Sequence, residues 1–347
     1  MKTIRLLLVS ILALQLPAFL PAASGASRAA AGTAISAEAL AGSRWAFKIP
    51  SGGAGWIGFT KENGATNALL LWGGGHPLPV TVATKEGTVE IRRTSKSKSK
   101  KGKDVTRIDI ITARQSGGNT LAFEMRSVDG DGKAVGTPVT FTATRIPELP
   151  PAPDLSKLKY GQPVSLIGGN LSNWESMNPN DYNGWTLKDG VLTNTVVFPD
   201  GTKKRGANLR TVDKSFKDFR LTFEVNLPPG SNSGVYLRGI YEIQMADTHG
   251  KPPHHQNMGA LYGRIAPSRA VEKKAGEWQT LDITLADRHV TVILNGVKII
   301  DNQPVLGCTG GAITSDEFVP GPIYLQGDHT NASYRNMVLT PIVKDLR

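Results

Sequence analysis

The stretch 232–247, NSGVYLRGIYEIQMAD, combines a regular strand pattern with side chains that could bind a polar ligand. It predicts two short strands separated by a glycine. Because side chains alternate across a strand, Tyr236 and Arg238 share one face of the first strand, and Glu242 and Gln244 share one face of the second. Such strands can pack a sheet with their apolar face and offer hydrogen bonds to a ligand with the other. An ordinary half-solvated antiparallel strand shows the same alternation.

A second segment near the end of the chain, GPIYLQGD, repeats this alternation. Tyr324, Gln326 and Asp328 alternate there with apolar residues, and His329 follows directly. We expect these side chains to lie on the same polar sheet face as Glu242. A histidine titrates near neutral pH, so His329 suits acid–base work, although it could equally fix a turn by hydrogen bonds.

The elements that must hold these residues are predicted to be strands throughout the chain. The sequence contains 38 glycines and 22 prolines, and stretches with a helical period are scarce. Asn-Gly and Asp-Gly pairs recur between short alternating segments, which is typical of an all-β protein. Asn295-Gly296, between VTVIL and VKIID, gives the strongest hairpin signal.

A proline-rich stretch divides the chain into two predicted β domains, which we expect to be self-contained. About eight short strand patterns precede it, which fits a small β-barrel or β-sandwich. The pattern after it predicts a concanavalin A-like or jelly-roll β-sandwich. A glycine-rich turn in the first half, GGGHPLP, is not followed by a helix, as a phosphate loop requires. The predicted segments are a signal peptide (1–26), a flexible segment (27–42), a small all-β accessory domain (43–145), a linker (146–163) and the sandwich domain (164–347).

The first residues of the chain predict export. Lys2 and Arg5 precede an apolar run of about 15 residues, too short for a membrane span, and cleavage is expected after Gly25 or Ala26. No later segment is long and apolar enough to be a transmembrane segment. Cys308 is the only cysteine, which excludes an internal disulfide, a cysteine-based metal site and a lipid-carrying cysteine. We therefore expect a periplasmic or secreted protein.

Much of the excess behind the net charge of +11 comes from Arg92, Arg93 and the lysines of one run, TSKSKSKKGK, between two strand-like segments. No aromatic residue interrupts this run, so it lacks the stacking platforms of a surface that binds single-stranded nucleic acid. We interpret it as a flexible, solvated hairpin loop and expect no nucleic-acid partner. A contact with a polyanion or with the cell envelope is the alternative.

Several segments of the second domain occur together in an order and spacing that resemble a known family. They are NSGVYLRGIYEIQMAD, GALYGRIAP, AGEWQTLDITLADRHVTVILNGVKIIDNQ, TGGAITSDE and GPIYLQGDHTNASYRNM. The combination resembles the 3-keto-disaccharide hydrolase domain family, formerly a domain of unknown function, over about 166–342. The resemblance implies a concanavalin A-like sandwich, often preceded by a small β domain, that acts on glycosides oxidised to a ketone at carbon 3. One difference is Thr330, where family members commonly have glycine.

This resemblance implies that the glycosidic bond of a 3-keto glycoside is cleaved by elimination. The ketone acidifies the proton on carbon 2, a base removes it, and the glycosidic oxygen leaves carbon 1, with or without re-addition of water. The site needs a base, a stabiliser for the enolate and an acid for the leaving group. The expected catalytic residues are Glu242 and His329, as base or acid, and Arg238, as a clamp on the enolate or a hydroxyl. The expected substrate-binding residues are Tyr236, Gln244, Asp247, Tyr262, Arg264, Gln326 and Asp328.

Other roles and functions stay open at this point. Glu242 could instead form a structural salt bridge with Arg238. The same sandwich can bind carbohydrate without chemistry, and a structural envelope protein is disfavoured by the polar strand faces. A direct glycoside hydrolase of the laminarinase type would carry Glu-x-Asp-x-x-Glu on one strand, but here Gln244 stands in place of the Asp and Asp247 in place of the second Glu, which disfavours direct hydrolysis.

No cofactor is certain from the sequence. A divalent cation could polarise the ketone from a position near Glu242, Asp247 and His329. A histidine-rich loop could contribute to a metal site or be an ordinary loop; its members are His249, His254 and His255. The expected partners are a 3-keto glycoside as carbohydrate substrate and an upstream sugar 3-dehydrogenase that makes the ketone.

Overall fold

The computed structural model describes residues 33–99 and 102–343, so the predicted signal peptide lies outside the described residues. The first half of the described chain is a closed antiparallel β-barrel, in which each strand pairs with the next and the last pairs with the first. Its strands are β1 Arg44–Lys48, β2 Ala54–Glu62, β3 Ala65–Trp72, β4 Leu78–Lys85, β5 Thr88–Lys98, β6 Asp104–Gly117, β7 Thr120–Asp129 and β8 Val139–Ile146. Of the two small β folds that the sequence left open, the chain forms the barrel.

Aromatic and aliphatic side chains fill the barrel. Phe47 packs edge-on against Phe123, with ring centroids 5.7 Å apart. A four-residue helix, α1 (Ala37–Leu40), packs its buried Leu40 against the same core, and Thr33 pairs with Gln115. The segment expected to be flexible is therefore packed on the barrel from Thr33 onward, because Leu40 has apolar surface to bury.

The second half of the described chain forms two antiparallel sheets. Its elements are a 3₁₀ helix Leu155–Lys157 and the strands β9 Lys159–Tyr160, β10 Val164–Ser165, β11 Trp174–Ser176, β12 Trp185–Lys188, β13 Val191–Asn194, β14 Leu209–Thr211, β15 Phe219–Asn226, β16 Asn232–Leu237, β17 Tyr241–Ala246, β18 Trp278–Ala286, β19 His289–Leu294, β20 Val297–Pro304, β21 Tyr324–Leu325 and β22 Ala332–Val343. The larger sheet has nine strands, with β12-β13-β22-β15-β18-β19-β20 in order and β9 and β10 both pairing with β22. The smaller sheet has five strands in the order β11-β14-β21-β16-β17.

The core of the second half lies between these two sheets. Leu221 and Phe223 on β15, in the larger sheet, belong to the same buried cluster as Val235 on β16 and Ile243 on β17 in the smaller sheet. Each such side chain contributes about 1.5–3 kcal/mol when it is fully buried. The predicted all-β architecture with a C-terminal sandwich is confirmed.

Two sequence patterns correspond to hairpins of the structure. Asn295 and Gly296 form the two-residue loop between β19 and β20, both with positive φ, as an Asn-Gly hairpin turn requires. The first half of the lysine-rich run, residues 94–98, is the end of strand β5 and pairs with β6, so its interpretation as a loop is wrong for these residues. Residues 100–101 of that run lie outside the described residues.

The barrel and the sandwich share a continuous core. Trp56 and Leu71 of the barrel belong to the same buried cluster as the sandwich residues. Arg264 of the sandwich lies over the Trp56 ring at 4.3 Å, and Ser315 donates a hydrogen bond of 2.9 Å to the carbonyl of Phe47. The structure therefore differs from the expectation of two self-contained domains, because outward-facing apolar residues of the barrel are covered by the sandwich.

The predicted linker lies against the sandwich. Arg288 donates a hydrogen bond of 2.8 Å to the carbonyl of Glu148, and Asn302 donates one of 2.9 Å to the carbonyl of Pro153. These contacts fix the proline-rich stretch in place. Over the residues that the structure describes, no helix has both the length and the hydropathy needed to cross a membrane.

Candidate active site

A pocket of about 340 Å³ lies on the face of the five-stranded sheet that points away from the core. The alternation of β16 and β17 creates this face, because Val235 and Ile243 point into the core and their neighbours point outward. Seven of the predicted site residues line the pocket together: Tyr236, Glu242, Gln244, Tyr262, Gln326, Asp328 and His329.

Glu242 is the most deeply buried carboxyl group of this pocket, with 3% of its surface exposed. Its Oε2 lies 2.8 Å from the hydroxyl of Tyr236, which faces it across the β16–β17 pair. The pKa of Glu242 is raised from 4.5 to about 8, mainly by burial; the hydrogen bond from Tyr236 partly opposes this rise, and the charge of Asp328 contributes to it. At neutral pH, Glu242 is therefore mostly a neutral carboxylic acid that can donate a proton.

Two tyrosines form a rigid part of the pocket wall. Tyr236 and Tyr324 face each other on neighbouring strands, and their rings stack 4.1 Å apart at an interplanar angle of 9°. Burial raises the pKa of both hydroxyls, so both stay protonated at any physiological pH. The Tyr236 hydroxyl also lies 2.7 Å from the carbonyl of Gly310, which fixes its position above Glu242.

Asp328 and His329 form a hydrogen-bonded pair at the more open side of the pocket. His329 Nδ1 lies 2.7 Å from Asp328 Oδ1, and the His329 side chain is 46% exposed. Burial by itself would raise the pKa of Asp328, but the hydrogen bond and the charge of His329 lower it below its usual value. Asp328 therefore stays ionised and holds the imidazole through Nδ1.

Backbone contacts hold the loop that carries this pair. The side-chain oxygen of Asn208 accepts hydrogen bonds from the backbone N–H groups of Gly327 and Asp328, at 2.7 and 3.2 Å. Thr330, where the family commonly has glycine, accepts a hydrogen bond from the N–H of Asn232 and donates one to its carbonyl. The threonine therefore ties the loop to the start of β16.

Three amide side chains of the pocket lining have oxygen atoms without a partner in the described part of the chain. The side-chain oxygens of Asn232, Gln244 and Gln326 are buried and have no hydrogen-bond partner among the described residues. Such orphaned acceptors are costly unless something pairs with them.

Three predicted site residues do not line the pocket. Arg238 follows the last residue of β16 with φ +57°, so the strand alternation ends before it, and its guanidinium donates to the carbonyls of Glu317 and Val319. Its expected role as a clamp, or as a salt-bridge partner of Glu242, is therefore wrong.

The other two residues are tied to neighbouring backbone. Asp247 accepts a hydrogen bond of 2.9 Å from the N–H of Gly230. Arg264 lies over Trp56 and donates to the carbonyls of Leu306 and Cys308. Both lie beyond the strand segments that build the pocket face, where alternation gives no guide to direction.

The sequence patterns also missed several residues of the pocket wall. Asn208 and the glycine pair of TGGAITSDE come from loops, and Gly74 and Gly75 come from the barrel. In the sequence, the turn GGGHPLP lacks the following helix of a phosphate loop and gives no other functional signal. No local pattern places a barrel turn beside a sandwich pocket, because the contact depends on how the two parts pack.

The histidine-rich loop lies beside this turn. The His255 ring lies 4.0 Å from the ring of His254 and 5.3 Å from that of His76, measured between centroids. His249 Nδ1 lies 2.9 Å from the carbonyl of Glu272. In the described part of the chain, no three or more His, Cys, Asp or Glu side chains come together in an arrangement that could hold a metal ion.

Comparisons with known proteins agree with this sandwich. Residues 162–340 match the model of the 3-keto-alpha-glucoside-1,2-lyase-like domain family. A comparison with curated proteins gave no significant match.

Similar solved structures include two candidate glycosyl hydrolases from Parabacteroides distasonis ATCC 8503. Both are 28% identical to this chain. The alignment with the first spans 56% of this chain and 93% of that structure's chain, with a TM-score of 0.41. The alignment with the second spans 52% of this chain and 98% of that structure's chain, with a TM-score of 0.38. A lichenase derived from a mouse hindgut metagenome is 17% identical and covers 52% of this chain and 99% of its own, with a TM-score of 0.34. At these TM-scores, the similarities do not define an activity.

The family match itself spans more than half of the sequence and contains the strands and loops that supply most of the pocket. It also contains every predicted site residue, including those that point elsewhere. This chain therefore belongs to the 3-keto-alpha-glucoside-1,2-lyase-like domain family, a family of carbohydrate-active enzymes.

Proposed function

We propose that this protein cleaves the glycosidic bond of 3-keto glycosides by removing the proton on carbon 2 and eliminating the group on carbon 1. The observation that carries the proposal is that one pocket holds the buried carboxyl group of Glu242, whose pKa burial raises, and a histidine bound to Asp328. Elimination next to a ketone needs one acid and one base. The carboxyl group of Glu242 can supply a proton and the imidazole of His329 can accept one, because the two side chains have different surroundings.

In this proposal, His329 is the base. Asp328 accepts the hydrogen bond of Nδ1, so Nε2 is available to take the proton from carbon 2. The electrons of the broken C–H bond form the double bond between carbons 1 and 2, in conjugation with the ketone. The carbon–oxygen bond at carbon 1 breaks, and its electron pair stays on the glycosidic oxygen.

Glu242 is the acid that protonates this oxygen as it leaves. Its pKa of about 8 keeps the proton in place at neutral pH while still allowing its transfer to an alkoxide. The developing enolate oxygen is left to the amide N–H groups of Gln244 and Gln326, because Arg238 lies outside the pocket. Addition of water to the product would complete a net hydrolysis.

The test is to incubate the purified protein with 3-keto-trehalose, 3-keto-glucosides and their unoxidised parents, and to identify the products. We expect cleavage of the oxidised sugars only, and exchange of the carbon 2 proton with deuterated solvent. An unsaturated sugar product identifies a lyase, and a free 3-keto sugar identifies net hydrolysis. Equal cleavage of the unoxidised parents would contradict the elimination mechanism and favour direct hydrolysis by Glu242 and Asp328.

We further propose that this reaction occurs outside the cytoplasm and follows the action of a sugar 3-dehydrogenase. The support is the basic and apolar pattern of residues 1–26 and the need for an oxidised substrate. N-terminal sequencing of the exported protein should begin near Ala26. An intact Met1 on exported protein would contradict the processing step.

A further inference from the structure

The turn between β3 and β4, residues 73–76, belongs to the barrel but lies at the pocket of the sandwich. Gly74 and Gly75 line this pocket together with Tyr236 and Glu242. The turn also lies outside residues 162–340, which carry the family match. Part of the pocket wall is therefore supplied by a segment that the family match does not include.

Close backbone contacts fix this turn on the sandwich. The N–H of Gly311 donates a hydrogen bond of 3.0 Å to the carbonyl of Gly73. Gly310 packs so tightly that a Cβ there would overlap the carbonyl of Gly75. At the other end of the turn, a Cβ on Gly263 would overlap the side chain of His76.

The turn is also connected to Glu242, the proposed acid, through Gly310 and Tyr236. The carbonyl of Gly310, which packs beside Gly75, lies 2.7 Å from the hydroxyl of Tyr236, and that hydroxyl lies 2.8 Å from Glu242. The turn therefore lies one residue away from the contact that positions the Tyr236 hydroxyl. It is placed to limit what can bind beside Glu242.

We propose that turn 73–76 is a specificity-determining wall, through which the barrel limits the size of the group that leaves carbon 1. The inference rests on the proposed function for the identity of that group. A pocket of about 340 Å³ is near the lower end of the roughly 300–1,000 Å³ of small-molecule sites, so a few added atoms on one wall should matter.

Gly74 is the position at which this wall can be changed without disturbing the fold. It is exposed, its φ lies outside the left-handed region, and a Cβ there would meet no atom within 4 Å. Gly118, in the β6–β7 turn at a position that does not line the pocket, has the same three properties. Gly118→Leu is therefore a matched control for Gly74→Leu.

The experiment compares wild type, Gly74→Ala, Gly74→Leu and Gly118→Leu on methyl 3-keto-glucoside and on a 3-keto disaccharide. We expect Gly74→Leu to raise KM for the disaccharide by about 10-fold or more, in the range of mis-sized pockets, and to change KM for the methyl glycoside by less than about threefold. Gly74→Ala should lie between wild type and Gly74→Leu, and Gly118→Leu should match wild type. Equal effects on both substrates, or no effect on either, would overturn the proposal.

A binding measurement separates this inference from the proposed reaction. If wild type turns over neither substrate, the proposed function fails, and dissociation constants for methyl glucoside and maltose are compared by calorimetry in the same variants. A loss of affinity for maltose but not for methyl glucoside in Gly74→Leu would support the proposal that turn 73–76 limits the size of the bound sugar. Equal constants in wild type and Gly74→Leu, or no binding of either sugar to wild type, would overturn it.

Discussion

The hydroxyl of Tyr236 lies 2.8 Å from Oε2 of Glu242, on the neighbouring strand of the same sheet. The same hydroxyl lies 2.7 Å from the carbonyl of Gly310, which can only accept a hydrogen bond. A tyrosine has one hydroxyl proton. When Tyr236 donates it to Gly310, the proton between Tyr236 and Glu242 must belong to Glu242. When Glu242 is ionised, Tyr236 instead donates its proton to the carboxylate, which lowers the pKa of Glu242 and partly opposes burial.

Replacement of Glu242 by Gln should lower kcat on a 3-keto glycoside by about 10²–10⁴-fold, because the amide cannot protonate the leaving oxygen. The shape of the side chain and its contact with Tyr236 are kept, so the fold should be unchanged. The matched control is Glu224→Gln on the larger sheet, where Glu224 pairs with Arg335. Near-normal turnover by Glu242→Gln would show that this carboxyl is not the acid.

The raised pKa of Glu242 also predicts a dependence of stability on pH. Between its ordinary value of 4.5 and about 8, the folded protein keeps a proton that the unfolded chain releases. The free energy of unfolding should therefore fall as pH rises through this window, by up to about 1.4 kcal/mol per pH unit from this group. Denaturant titrations from pH 5 to 8 should show a smaller decrease for Glu242→Gln. Parallel curves for the two proteins would contradict the shift.

His329→Ala should abolish exchange of the carbon 2 proton with deuterated solvent and lower kcat by about 10²–10⁴-fold. The side chain is nearly half exposed, so the melting temperature should change little. Asp328→Asn should retain part of the activity, because the imidazole remains but loses the charge that orients it. If exchange persists in His329→Ala, another group is the base.

Gly234→Ala should displace the catalytic acid without removing it. Gly234 pairs with Gln244 across β16 and β17 and lies diagonally opposite Glu242, so a Cβ at Gly234 would overlap Glu242 Oε1. We expect the carboxyl group to shift and kcat to fall at least about 10-fold, since misplacement of a reacting group is costly. Gly168→Ala, which meets no atom within 4 Å, is the control and should be neutral.

Arg238→Met should destabilise the fold rather than impair the chemistry. The guanidinium donates to two backbone carbonyls and lies outside the pocket. Each buried carbonyl left without a donor costs about 1–3 kcal/mol. The melting temperature should fall, while kcat per folded molecule stays within about threefold of wild type. A catalytic loss at unchanged stability would restore Arg238 as a site residue.

The sequence by itself determined the strand class and most of the pocket face. Side chains alternate with a period of two along any strand, so Glu242 and Gln244 had to share one face of β17, and the pairing of Tyr236 with Glu242 places Tyr236 on the same side. The conformation of the Asn295-Gly296 turn is also determined by local sequence, because only a few residue types accept two successive positive φ angles.

Tertiary structure alone decided which of these groups could do chemistry. Arg238 left the face because one left-handed residue ended the alternation. Glu242 holds its proton because burial between packed layers disfavours its charge, which no local pattern reports. Gly74 and Gly75 reached the pocket through the packing of the barrel on the sandwich, more than a hundred residues away in sequence, and side-chain periodicity carries no information over such a distance.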